Sequence, residues 1–186
     1  KSFGSAMSEQ GETTIVVGRD GRLSGPELMQ GLTKGLLSVG ISVIDLGVVA
    51  TPMVYFGTNI PINGKNAKSG IMITGSHNPP DYNGFKMVLG GQAIFGDQIQ
   101  ALYQRILQQQ FSSTNQEVNR SEFDIFPEYL ARIIGDVKLK RSIKIAVDCG
   151  NGVGGAFAGK LFRALGCEVE EMFCEVDGNF PNHHPD

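Results

Sequence analysis

The chain has 186 residues, with 16 lysines and arginines against 19 aspartates and glutamates, a net charge of −3 and a 41% hydrophobic share. That is the make-up of an ordinary soluble globular protein, and it argues against a surface built for nucleic acid or an anionic membrane. No apolar run approaches membrane-spanning length, the start lacks the apolar stretch of a signal peptide, and Cys149, Cys167 and Cys174 form an odd set without CxxC spacing, so a reducing, cytoplasmic setting is expected.

Residues 1–10 look like the tail of a helix. Residues 13–18 form a β-branched run that ends in the polar turn Gly18-Arg19-Asp20-Gly21-Arg22 and reads as a strand. Leu28, Leu32, Leu36 and Val39 recur at helical spacing behind Pro26, and Gly40 suits the position just past a helix end. A strand over 41–46, a short helix over 53–59, a buried strand over 70–73 and another strand over 84–89 come next. Ile99, Leu102, Tyr103, Ile106 and Leu107 then mark an amphipathic helix, with Asp97 placed as its N-cap. Residues 112–116 are the best linker candidate. Beyond them come a helix carrying Tyr129, Leu130, Ile133, Ile134 and Val137, a strand over 143–147, a loop over 148–155, a helix with Phe157, Leu161, Ala164 and Leu165, and a strand over 167–173. Met72, Phe85 and Phe157 are expected in the core.

The chemistry concentrates in the loop Thr74-Gly75-Ser76-His77-Asn78-Pro79-Pro80-Asp81-Tyr82-Asn83-Gly84-Phe85-Lys86. It places Ser76 at the carboxyl end of a buried strand, where open α/β sheets carry their sites. Pro79 and Pro80 stiffen the middle of the loop, and Pro79 keeps Asn78 out of helical dihedrals. Ser76 is the candidate nucleophile. His77 and Lys86 are close enough along a compact loop to steady anionic oxygens or move the hydroxyl proton, and the sequence does not divide those tasks between them. Asn78 and Asn83 suit side-chain hydrogen bonds to the loop backbone. Arg19 and Arg22 arise at the same sheet edge, either touching phosphate or bracing the serine loop.

Rival motifs are weaker. A serine-hydrolase elbow needs G-x-S-x-G, which Thr74-Gly75-Ser76-His77-Asn78 does not supply. Gly150-Asn151-Gly152-Val153-Gly154-Gly155 satisfies G-x-G-x-x-G between a strand and a helix, with Glu170 and Glu171 downstream, in the outline of a dinucleotide fingerprint. Asp148 and Cys149 make that loop long and acidic for a pyrophosphate, so a tight structural turn is favoured. His183, His184, Cys174 and Asp177 fit no standard zinc spacing and read as a solvated loop.

The thirteen-residue serine loop resembles the phosphoserine loop of the α-D-phosphohexomutases, and within them most closely the bacterial phosphomannomutase/phosphoglucomutase branch. Three further motifs agree in order, at 18–25, 148–153 and 175–186. The resemblance covers essentially the whole chain. It implies an α/β fold in which a mixed, mostly parallel sheet is sandwiched by helices, followed by the opening βαβ of a second similar domain. Domain 1 is placed at 1–122, N-terminally incomplete, and the start of domain 2 at 123–186.

The resemblance further implies a reversible exchange between hexose 1-phosphate and hexose 6-phosphate through a phosphorylated Ser76 and a bisphosphorylated sugar. Mg²⁺ is the implied cofactor, held here only through the phosphate on Ser76, and glucose 1,6-bisphosphate or its equivalent is the implied activator. Catalytic roles fall to Ser76, His77 and Lys86, and phosphate contacts to Asn78, Arg19 and Arg22. The implied partners are hexose phosphates (mannose or glucose) and the remaining domains of the same polypeptide. An arginine-bearing loop before the first strand, an aspartate-rich metal loop and two later domains belong to the family pattern and are not in these residues. The chain alone is therefore expected not to turn over substrate. Phosphoglucosamine mutase, and a non-catalytic phosphosugar-binding remnant, are the alternative readings.

Overall fold

The computed structural model describes residues 1–114 and 116–184. Asn115 of the expected linker and Pro185 and Asp186 of the last motif lie outside the described residues.

The chain runs α1 (Ser2–Glu9), β1 (Thr14–Arg19), α2 (Gly25–Leu37), β2 (Ser42–Val48), α3 (Thr51–Gly57), β3 (Ser69–Ile73), β4 (Phe85–Leu89), β5 (Gln92–Ala93), α4 (Asp97–Leu107) and β6 (Arg120–Glu122). These strands join one sheet in the order β5-β4-β3-β1-β2-β6. Parallel pairs link β1 to β2 and β3, and β2 to β6, while β4 runs antiparallel to both β3 and β5. A mixed, mostly parallel sheet is the outcome, as expected.

Strand alternation divides the core into two layers. Ile15, Val17, Val43, Ile71 and Ile73 face one side, where Phe3, Met7, Met29 and Leu36 cover them. Val16, Ile44 and Met72 face the other, beneath Met53, Val54 and Ile125. Successive residues of a strand point to opposite faces, so an uninterrupted apolar run is what a sheet covered on both sides demands. Each such side chain fully withdrawn from water contributes about 1.5–3 kcal/mol. The α2 end is built as expected: Gly40 sits at φ +84°, and Ile41 N donates to the Leu36 carbonyl across it.

Two local expectations need correction, and the strand β6 was not among the expected elements. Asp97 is the first residue of α4, not its cap; Gly96 flanks the helix at φ +52°, a conformation that suits glycine, and Asp97 instead places its charge in the first turn. Phe85, expected in the core, is 45% exposed at the last rung of the β3–β4 ladder, opposite Ile73. The strand β6 carried no apolar signal. It forms because β2 offers an unpaired edge and because Arg120 reaches across to the buried Asp45 carboxylate at 2.7 Å.

The second unit opens with α5 (Phe126–Asp136) and continues through β7 (Lys144–Asp148), a 3₁₀ turn (Val153–Ala156), α6 (Ala158–Ala164) and β8 (Glu168–Met172). β7 and β8 pair in parallel, the expected βαβ. α5 packs against the first sheet's α3, with Tyr129 edge-on to Phe56 at 5.6 Å between ring centroids, and its Phe126 meets Phe157 at 5.1 Å. One helix thus touches both units. Among the described residues no helix is long and apolar enough to cross a membrane.

Candidate active site

β3 delivers the chain to the carboxyl edge of the sheet, and the loop after it returns as β4. Thr74 N donates to the Gly84 carbonyl at 3.0 Å, closing the loop at its base. Ser76 sits two residues past this closure with φ +55°, a left-handed conformation that costs a non-glycine residue about 1–2 kcal/mol. A chain of hydrogen bonds holds it there. Ser76 N donates to Thr74 Oγ1 at 2.9 Å, and Thr74 Oγ1 donates to Asp20 Oδ2 at 2.8 Å. Asp20 and Thr74 are buried, so this support is shielded from water.

Arg22 is the main brace. Its side chain is almost wholly enclosed, at 2% exposure, and its guanidinium donates to the carbonyls of Ser76 at 2.9 Å, Asn78 at 2.7 Å, Tyr82 at 3.1 Å and also Pro79. Its Nε lies 3.3 Å from Asp20 Oδ2, an ion pair without hydrogen-bond alignment. A planar, permanently charged fork is the side chain that can satisfy so many carbonyls at once. Gly75 leaves room for it, since a Cβ there would overlap the guanidinium. The structure therefore places Arg22 inside the loop with its donors turned to backbone.

The asparagines complete the frame. Asn78 Nδ2 donates to the Gly75 carbonyl at 2.8 Å, and Asn83 bridges from Ser24 Oγ at 2.9 Å to Gly84 N at 2.9 Å.

Lys86 stands on β4 opposite Met72, and cross-strand partners point to the same face. Its Nζ lies 3.5 Å from Ser76 Oγ, at the outer limit of a hydrogen bond. Ser76 and His77 border a cleft of about 310 Å³ whose walls also include Asp20, Thr74, Cys149 and Phe180. Arg19 is not brought into it. It donates to the Asp20 carbonyl at 3.3 Å and borders a separate, larger depression of about 940 Å³ between α2 and β6.

The far wall comes from the second unit. Asn151, left-handed and buried, ties that wall together: its Nδ2 donates to the Glu175 carbonyl at 3.0 Å, and its Oδ1 accepts from Asn182 at 2.7 Å. The segment beyond lies on the Gly21–Leu23 turn of the first unit. A Cβ on Gly178 would stand 2.7 Å from the Gly21 carbonyl, and Phe180 lies over the Arg22 guanidinium at 5.2 Å. The Gly150–Gly155 glycines serve close approaches within the unit: a Cβ at Gly150 would meet His183, and one at Gly155 would meet the Cys174 backbone.

His183 Nε2 lies 3.0 Å from Asp148 Oδ1. That hydrogen bond raises the histidine pKa and lowers that of the aspartate, whose Oδ1 also accepts from Gly150 N. Burial, then a hydrogen bond with Cys174, pushes the Cys149 thiol up to about 12. Among the described residues no three histidine, cysteine or carboxylate side chains converge as a metal site.

Thr74, Asp20 and Phe180 were not singled out from the sequence. Thr74 and Asp20 lie within quoted motifs, but nothing in their spacing shows that they touch. The contact of Phe180 with Arg22 joins positions far apart in the chain.

Residues 1–113 match the family model for phosphoglucomutase/phosphomannomutase alpha/beta/alpha domain I, and residues 127–186 match the model for domain II. A phosphoglucomutase of Neisseria meningitidis serogroup A is 54% identical over the whole chain, which spans 40% of that relative's length. A phosphomannomutase/phosphoglucomutase of Pseudomonas aeruginosa is 49% identical, again over the whole chain and 39% of the relative. The crystal structure of a phosphoglucomutase/phosphomannomutase family protein from Burkholderia thailandensis superposes with a TM-score of 0.95 at 52% identity, covering all of this chain and 41% of that one. On this fold, this loop and these matches, the chain belongs to the phosphoglucomutase/phosphomannomutase family.

Proposed function

We propose that the protein, at the length of its relatives, is a phosphomannomutase/phosphoglucomutase. It interconverts hexose 1-phosphate and hexose 6-phosphate through a phosphorylated Ser76 and a bisphosphorylated sugar. The observation that carries this reading is the approach of Lys86 Nζ to Ser76 Oγ, 3.5 Å, beside a cleft at the carboxyl edge of the sheet. Phosphoryl transfer depends on positioning and charge neutralisation more than on covalent activation. The Ser76 Oγ–P bond breaks as a sugar oxygen–P bond forms, the sugar hydroxyl gives up its proton, and Ser76 Oγ takes one. Lys86 is the group at hand to supply it and to offset charge on the phosphoryl oxygens. His77 and Asn78 stand at the exposed mouth of the loop as phosphate contacts. Arg22 acts by holding the loop; Arg19, outside the cleft, is assigned support of the turn at Asp20.

Mg²⁺ would bind the phosphate on Ser76 and neutralise charge on it. The described residues contribute no converging set of carboxylates, so the metal's remaining protein ligands are assigned to the rest of the longer polypeptide. Residues 1–122 are taken as domain 1 and 123–186 as the start of domain 2. Glucose 1,6-bisphosphate is the proposed activator and the cytoplasm the proposed location.

The test is phosphate on Ser76. Intact protein from cells, analysed by mass spectrometry, is expected to carry it, and phosphate from labelled glucose 1,6-bisphosphate is expected to reach Ser76. A serine that stays unmodified in both experiments points to a non-catalytic phosphosugar-binding protein. Residues 1–186 alone are expected to be inactive in a coupled mutase assay.

A further inference from the structure

Cys149 leaves the carboxyl end of β7 and Cys174 lies just past the end of β8, its parallel neighbour. The ladder runs in register to its last rung, Asp148 against Met172, and Cys149 N extends it by donating to the Met172 carbonyl at 3.1 Å. In register Cys149 stands opposite Phe173, one residue before Cys174, so the approach of the two sulfurs, not the strand spacing, joins the pair. The two sulfurs are 3.4 Å apart, and Cys174 Sγ also lies 3.4 Å from the Met172 carbonyl. The backbone beneath them is fixed. Asn151 N donates to the Phe173 carbonyl at 2.8 Å, and Gly155 packs on Cys174 so closely that a Cβ would not fit. Both side chains are half-buried, so a small reagent can reach them. Cys149 also borders the Ser76 cleft.

We propose that Cys149 and Cys174 are a dithiol site that small-molecule disulfides oxidise to an intramolecular disulfide on the far wall of the cleft. The step goes beyond phosphoryl transfer and does not depend on it. Cys174, as thiolate, attacks one sulfur of a low-molecular-weight disulfide; an S–S bond forms to the protein and one reagent thiol leaves. Cys149 then loses its proton to solvent and displaces the second reagent thiol, closing the protein disulfide. The protein gives up two electrons and two protons, and the reagent is reduced to two thiols. The two steps need only that each sulfur lie within reach of the other, which the 3.4 Å separation provides.

The experiment exposes the intact folded protein to glutathione buffers of increasing oxidised fraction, traps free thiols by alkylation, and maps the peptides by mass spectrometry. The expected result is a cross-linked Cys149–Cys174 peptide pair lighter by two hydrogens, with both alkylation sites lost together. Cys149→Ser is expected to divert the reaction to a glutathione adduct on Cys174. Full alkylation of both cysteines in fully oxidised glutathione, or a cross-link from either of them to Cys167, overturns the proposal. So does a Cys149→Ser protein that takes up no glutathione at Cys174.

Discussion

The guanidinium of Arg22 donates to the main-chain carbonyl of Ser76 at 2.9 Å, so the serine's backbone is held from inside its own loop. Removing that side chain leaves the carbonyls of Ser76 and Asn78, and the Asp20 carboxylate, short of partners. Arg22→Ala is expected to lower stability by about 3–5 kcal/mol, the range for breaking a buried charged pair. Urea denaturation would show a shifted midpoint. Arg22→Lys keeps the charge and loses the fork, so it is expected to fall between wild type and alanine. A midpoint unchanged in both variants would contradict the bracing role.

The left-handed backbone at Ser76 separates hydroxyl chemistry from shape. Ser76→Thr keeps an oxygen but adds a β-branch at φ +55°. Because serine already bears the left-handed cost, only the added β-branch counts, and the change is expected to cost about 1 kcal/mol and to reduce phosphate uptake. Ser76→Gly relieves the strain while abolishing uptake. Melting temperatures and radiolabelled phosphate incorporation, measured together on both variants, check the pair.

Lys86 is exposed and touches the site through a single 3.5 Å approach. Lys86→Met is therefore expected to leave stability within about 0.5 kcal/mol of wild type. If the ammonium supplies the proton, the transfer rate in the intact protein falls by about 10²–10⁴-fold. Single-turnover transfer from phosphorylated protein to a hexose phosphate distinguishes this from weakened sugar binding.

The Asp148–His183 pair has a defined pH window. The histidine pKa is raised in the folded state, so its contribution is complete below the ordinary value of 6.5 and is lost as pH rises through the higher folded value. The aspartate pKa is lowered, so its contribution is complete above the ordinary 3.8 and is lost as pH falls through the lower folded value. The pair is fully formed only between those two ordinary values. Asp148→Asn is expected to return the His183 titration, followed by NMR, toward that of a solvated histidine. An unmoved titration would refute the coupling.

Much of this was legible in the residues. Unbroken apolar runs such as Ile71-Met72-Ile73 announce a strand covered on both faces, and the serine loop carries its chemistry in consecutive letters. Contacts that join distant segments were not legible. Arg22 was placed at the sheet edge, touching phosphate or bracing the serine loop, but its burial among residues 76–82 appears only in the fold. β6 was hidden because an edge strand of Arg120, Ser121 and Glu122 owes its existence to Asp45 and the open side of β2. Asp97 was misplaced by one position because backbone conformation at Gly96, not side-chain type, decides where α4 begins.

The Ser76 hydroxyl and the Lys86 ammonium are carried by one hairpin, tied at its neck by Thr74 and Gly84, whereas Cys149 and Phe180 reach the cleft from residues beyond α5. A rotation of one wall of the cleft against the other would carry the oxygen and the nitrogen as a single rigid tool. Any ligand seated against that hairpin therefore meets Ser76 Oγ and Lys86 Nζ at one fixed separation, 3.5 Å.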